Sequence, residues 1–84
     1  MSSSYIEGKL RVKLGENFFK TYYTDSKYQN INSIIEWAKI LIDEMPSTYK
    51  KFGKITLKVR RVYPDIPEEI YKSDWHKIKN KELK

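Results

Sequence analysis

The chain has 84 residues, with 17 Lys and Arg against 11 Asp and Glu, so its net charge is +6. That length fits one domain, residues 1–84, and excludes a large enzyme with a deep cleft. The absence of Cys excludes disulfides, thiolate metal sites and a Cys nucleophile, and no run approaches the ~18 apolar residues that a spanning helix needs.

Met1 is followed by Ser2-Ser3-Ser4 and then by a strand-like run carrying charges. That is not the pattern of a secretory leader, so a cytoplasmic setting is expected, that of a host if the chain is viral. Ile and Lys are abundant and Ala38 is the only Ala. Such usage suits an AT-rich genome, as in a virus or plasmid.

Ile6, Gly8, Leu10, Val12 and Leu14 share one parity, and Glu7, Lys9, Arg11 and Lys13 share the other. Period two with one polar side predicts a half-buried strand. Gly15-Glu16-Asn17 reads as a turn. The aromatic and Thr-rich run Phe18 to Thr24 then reads as a second strand, making an antiparallel hairpin. Gly8, in mid-strand, marks a bulge or close packing under Trp37.

Asp25 to Asn32 is a polar connection. Ser33-Ile34-Ile35-Glu36 has the form of a capping box. Ile34, Trp37, Ala38, Leu41, Ile42 and Met45 then recur at helical spacing as one apolar stripe, and Pro46 ends it. Ile40 lies off the stripe. Ser47 to Gly53 reads as a loop, and Lys54 to Tyr63 as a third strand. There Ile55, Leu57 and Val59 alternate with Lys54, Thr56, Lys58 and Arg60, and the break at Arg61-Val62 suggests an end or a bulge.

Pro64 to Pro67 reads as a turn. Pro67-Glu68-Glu69 has the composition of a helix start, and Ile70, Tyr71, Trp75 and Ile78 offer an apolar stripe to a C-terminal helix. Residues 1–4 and 80–84 are expected to fray. The expected fold is therefore a small α+β domain of order β-β-α-β(-α). Its three-stranded sheet has the order 2-1-3, with a right-handed crossover and a helix on one face. The second and third strands are the expected sheet edges, open to homodimer pairing. This element order is too common to imply a family.

The charge is unevenly placed. Met45 to Pro64 contains no acidic residue but holds Lys50, Lys51, Lys54, Lys58, Arg60 and Arg61. Elsewhere basic and acidic residues cancel. In a 2-1-3 sheet the polar parity of the third strand lies beside Lys9, Arg11 and Lys13, on the face away from the helix. Such a face suits phosphate neutralisation of DNA or RNA. Lys50, Lys51 and Arg61 complete the expected contact set, with Tyr49 and Phe52 interleaved at the rim. A solvated, Lys-rich outer face is the plain alternative reading.

Catalytic and metal chemistry finds no foothold. His76 is the only His, the glycines form no phosphate loop, and no nucleophile–base set can be assembled. Asp25 to Glu36 has the length of a calcium loop, but its sixth position is Asn30 rather than Gly. No cofactor and no catalytic or metal-binding residue is expected. The sequence thus suggests a non-enzymatic nucleic-acid-binding protein, of a kind a virus or mobile element would encode. The alternative is a protein-binding inhibitor or adaptor, such as a viral inhibitor of the anti-CRISPR kind. It would occupy an acidic patch of a host complex through Ile40, Tyr71 and Trp75.

Overall fold

A computed structural model of the chain describes residues 4–64 and 71–83. In chain order the elements are β1 (Tyr5–Leu14), β2 (Phe18–Tyr23), α1 (Ile31–Glu44), α2 (Ser47–Phe52), β3 (Lys54–Tyr63), β4 (Tyr71–Lys72), β5 (His76–Ile78) and a 3₁₀ turn (Asn80–Leu83). The sheet runs β2-β1-β3-β4, and β5 also pairs with β3. The α+β class and the 2-1-3 core order agree with the sequence. The strand count does not, because two short strands join the expected three.

The hairpin forms as the alternation predicts. Its turn places Gly15 at φ 71°, in the left-handed region that glycine enters without a Cβ penalty. β1 pairs with β3 in one unbroken antiparallel register from Tyr5↔Val62 to Lys13↔Lys54. No bulge interrupts it at Gly8 or at Arg61-Val62. The alternation stops at Arg61-Val62 because burial changes faces there. Val62 pairs with Tyr5 on the polar parity and is nevertheless fully buried.

Gly8 is required by close packing. A Cβ built there would lie 2.7 Å from Ile34 Cγ2, with Trp37 farther off at 3.7 Å. Ile34 is therefore the residue that presses on this strand. Its buried side chain joins Leu10, Val12, Leu57, Ala38 and Met45 in a single cluster between α1 and the sheet.

The cap of α1 lies three residues before the expected Ser33. Asn30 is the N-cap, and its Oδ1 accepts from the Ser33 backbone N–H at 2.9 Å. Glu36 pairs instead with Lys39, one turn along, at 3.9 Å. The stretch expected as a loop forms α2, whose half-buried Tyr49 packs on the core and meets Phe18 edge-on at 6.2 Å between centroids.

The C-terminal helix expected over Tyr71 to Ile78 is not formed. Those residues hold β4 and β5, both antiparallel to β3. Between them Ser73 substitutes its side chain for a ladder partner. Arg61 N–H donates to Ser73 Oγ at 2.9 Å, and Ser73 N–H donates to the Arg61 carbonyl at 2.9 Å. The physical reason is the outer edge of β3, a row of backbone groups that pairing satisfies. A short helix would have left that row open and gained little, since isolated helices below ~12 residues are marginal. β3 is therefore covered on its outer side and is not the edge expected for it; the sheet's edges among the described residues are β2 on one side and the short β4 and β5 on the other. Leu83, in the stretch expected to fray, packs against the core. The helix start expected at Pro67-Glu68-Glu69 lies outside the described residues.

Candidate functional site

Residues directly opposite in an antiparallel pair project from the same face. The register therefore assigns the open face, opposite α1, rung by rung. Phe19, Lys13 and Lys54 form one rung; Thr21, Arg11 and Thr56 the next. Tyr23, Lys9, Lys58 and Lys77 form the third, and Glu7 with Arg60 the fourth. Lys72 follows opposite Val62. Among the described residues this face carries eight cations and one carboxylate: Lys9, Arg11, Lys13, Lys54, Lys58, Arg60, Lys72 and Lys77, with Glu7.

Glu7 answers two of them. Its Oε1 accepts from Arg60 Nε at 2.5 Å and lies 3.7 Å from Lys72 Nζ. Two aromatic rings organise others. Trp75, half-buried in the segment between β4 and β5, has Arg60 Cζ at 4.1 Å and Lys9 Nζ at 4.5 Å from its ring centroid. Phe19 carries Arg11 Cζ at 4.0 Å and Lys13 Nζ at 5.5 Å. Attraction between cation and ring quadrupole holds these heads in place at ~0.5–1 kcal/mol each at exposed sites. A shallow groove of ≈ 310 Å³ runs between Arg11, Lys13, Phe19, Lys54 and Thr56.

The like charges are felt within the face. Lys9 is held below the ordinary Lys pKa of 10.5, first by desolvation and then by Lys58, Arg11 and Arg60. Cations crowded in this way sum to a positive potential over the face.

Of the nine basic residues expected to contact nucleic acid, six share this face: Lys9, Arg11, Lys13, Lys54, Lys58 and Arg60. Three do not join it. Arg61 pairs with Ile6 on the helix-side parity, and its Nη1 donates to Ser4 Oγ at 3.3 Å. Lys50 reaches the Asp43 carbonyl at the end of α1 at 3.3 Å, which places it in the helix layer. Lys51 sits beside it on α2, with its ammonium near the exposed Phe52 ring. The reason is that α2 replaces the expected loop and packs on the helix side.

The set expected for a protein partner is divided as well. Ile40 is 58% exposed on the outer side of α1, whereas Trp75 lies over Lys9 and Arg60 on the opposite side of the sheet. The side chain of Tyr71 lies outside the described residues. His76 pairs with Val59 on the helix side, exposed at the rim of a depression of ≈ 280 Å³ that Ile6 and Arg61 also line.

Sequence reasoning missed Lys72 and Lys77, which reach the face only because their segment is strand. It also left Phe19 and Tyr23 unassigned between faces. The hairpin register decides them, through Lys13↔Phe19 and Lys9↔Tyr23. No helix among the described residues is long and apolar enough to cross a membrane. Comparison of the chain with protein-family models, curated proteins and solved structures finds no match.

Proposed function

We propose that this chain is a small, non-enzymatic nucleic-acid-binding protein that captures phosphates on the open face of its sheet. The observation that carries this reading is the juxtaposition of Lys9, Arg11, Lys13, Lys54, Lys58 and Arg60 on one face, with Glu7 as the acidic neighbour. Like charges directly opposite, as in Lys9↔Lys58 and Lys13↔Lys54, destabilise a sheet by ~0.2–1 kcal/mol per pair. A polyanion converts that cost into affinity through counterion release.

The test is a gel-shift or anisotropy titration against DNA and RNA over a range of salt. Binding should weaken steeply with salt, with a log–log slope near −0.7 to −0.9 per phosphate contacted. Lys58→Glu or Arg60→Glu should weaken binding across all sequences. No retardation at micromolar protein and low salt sinks the reading.

A further inference from the structure

Nothing so far distinguishes a duplex from an unpaired strand, and the geometry of the face does. Across the Tyr23-Lys9-Lys58-Lys77 rung four strands stand side by side, β2-β1-β3-β5, which sets the outer strand axes roughly 14 Å apart at ~4.8 Å per pair. The major groove is only ≈ 12 Å wide and admits a helix or a two-stranded ribbon. A face three to four strands wide is thus too broad to enter a groove that admits two, so a duplex could meet it only through phosphates.

The face nevertheless carries aromatic rings in the open. Phe19 is 43% exposed and Tyr23 is 64% exposed, on alternate rungs of β2 beside the Lys9, Arg11 and Lys13 column. Rings at this exposure are costly beside water, and base faces are what would cover them. In a duplex those faces are already stacked on one another. In an unpaired strand they are free, and a cationic track flanked by aromatic platforms is what such a strand requires.

We infer that the occupant of this face is an unpaired polynucleotide strand, its phosphates on the Lys9, Arg11, Lys13, Lys54 and Lys58 cluster and its bases stacked on Phe19 and Tyr23. The inference rests on the nucleic-acid reading above and narrows it. The recognised chemistry is phosphate plus base face, which DNA and RNA strands share, so both bind within a few-fold of each other. Phe19 and Trp75 both carry cations on their rings, Arg11 and Lys13 on the one and Lys9 and Arg60 on the other, but Phe19 is exposed and open to a base beside them whereas Trp75 is half-buried.

The experiment is an anisotropy titration of the full chain. The probes are labelled oligothymidylate and oligouridylate of about 16 nucleotides, the upper end of known site sizes, and a duplex of equal phosphate number. The single strands should bind at least about tenfold tighter than the duplex. Phe19→Leu and Tyr23→Leu keep an apolar side chain in the strand but remove the π face. Each should lower the strand-to-duplex preference by roughly 5- to 150-fold, the range that loss of one stacked base gives. Circular dichroism and melting of the variants show that they fold.

Equal or tighter binding of the duplex overturns the inference, as does an unchanged preference in both folded Leu variants. In either case the broader reading survives if Lys58→Glu still weakens binding of every probe. Failure of all three probes to bind at low salt overturns the broader reading itself.

Discussion

Lys9 and Lys58 stand directly opposite each other across β1 and β3, and Lys9 extends its ammonium over the Trp75 ring at 4.5 Å. Two like charges on one rung oppose folding, and the ring offsets part of that cost. Lys9 is consequently held below 10.5, by desolvation first and by Lys58 second. The consequence for stability has a definite sign. Between its lowered folded pKa and 10.5 the unfolded chain binds the proton more tightly, so stability rises with pH through that window. Lys58→Met removes the second cause and leaves the first. Lys9 should then titrate at higher pH, short of full recovery, and the alkaline rise in stability should flatten. NMR titration of the Lys9 side chain and urea midpoints at neutral and alkaline pH measure both effects. The variant should also gain about 0.5 kcal/mol at neutral pH. An unmoved Lys9 titration would show that Lys58 does not act on it.

Asn30 caps α1, where the sequence pattern points to Ser33. Asn30→Ala should cost about 1 kcal/mol, because it removes the acceptor of the Ser33 N–H. Ser33→Ala should cost less: its hydroxyl only adds a 3.2 Å bond to the same Asn30 Oδ1. Equilibrium unfolding of the two variants decides the order, and a larger loss in Ser33→Ala contradicts the observed cap.

That pair of residues shows where legibility in the sequence stops. Strong periodicity carried through to structure. The Ile6 to Leu14 and Lys54 to Arg60 alternations gave strands, and the Ile34 to Met45 stripe gave a helix, with Ile34, Ala38 and Met45 buried. Boundaries and short elements did not carry through, since they depend on tertiary context. Asn30 and Ser33 are both good caps, and the backbone bridge between Tyr28 and Ile6 fixes where the chain turns into the helix. Tyr71 to Ile78 is compatible with either helix or strand, and the open edge of β3 decides it. The same limit applies to the site. Parity put six cations on one face, but no local pattern could show that α2 draws Lys50 and Lys51 away or that β5 brings Lys77 in.

Gly8 is fixed by the approach of Ile34. A Cβ at this position would come within 2.7 Å of Ile34 Cγ2 and 3.4 Å of Thr24 Cγ2, in a fully occupied core. Gly8→Ala should therefore destabilise by about 1–3 kcal/mol, as overpacking does. Gly8→Ala with Ile34→Leu removes the branched Cγ2 methyl that meets the new Cβ and should recover part of the loss. Additive losses in a double-mutant cycle would show that the two positions do not press on each other.

Glu7 is the carboxylate that restrains the basic face. It holds Arg60 through a short ion-paired hydrogen bond and sits 3.7 Å from Lys72, with its side chain only 22% exposed. Glu7→Gln should have opposite effects on stability and on binding. A partly buried pair of this kind contributes more than the 0–1 kcal/mol of an exposed one but must offset desolvation, so the loss of stability should be about 1 kcal/mol. The same change frees Arg60 and Lys72 and removes a negative charge from the middle of the face. Affinity for oligothymidylate should rise, and the salt dependence should steepen by about 0.7 per added phosphate contact. A solvated basic face with no partner would show the stability loss alone. Lower affinity in a variant that remains folded would mean that Glu7 positions Arg60 for the phosphate. Melting temperature and a salt series on the same preparation separate these outcomes.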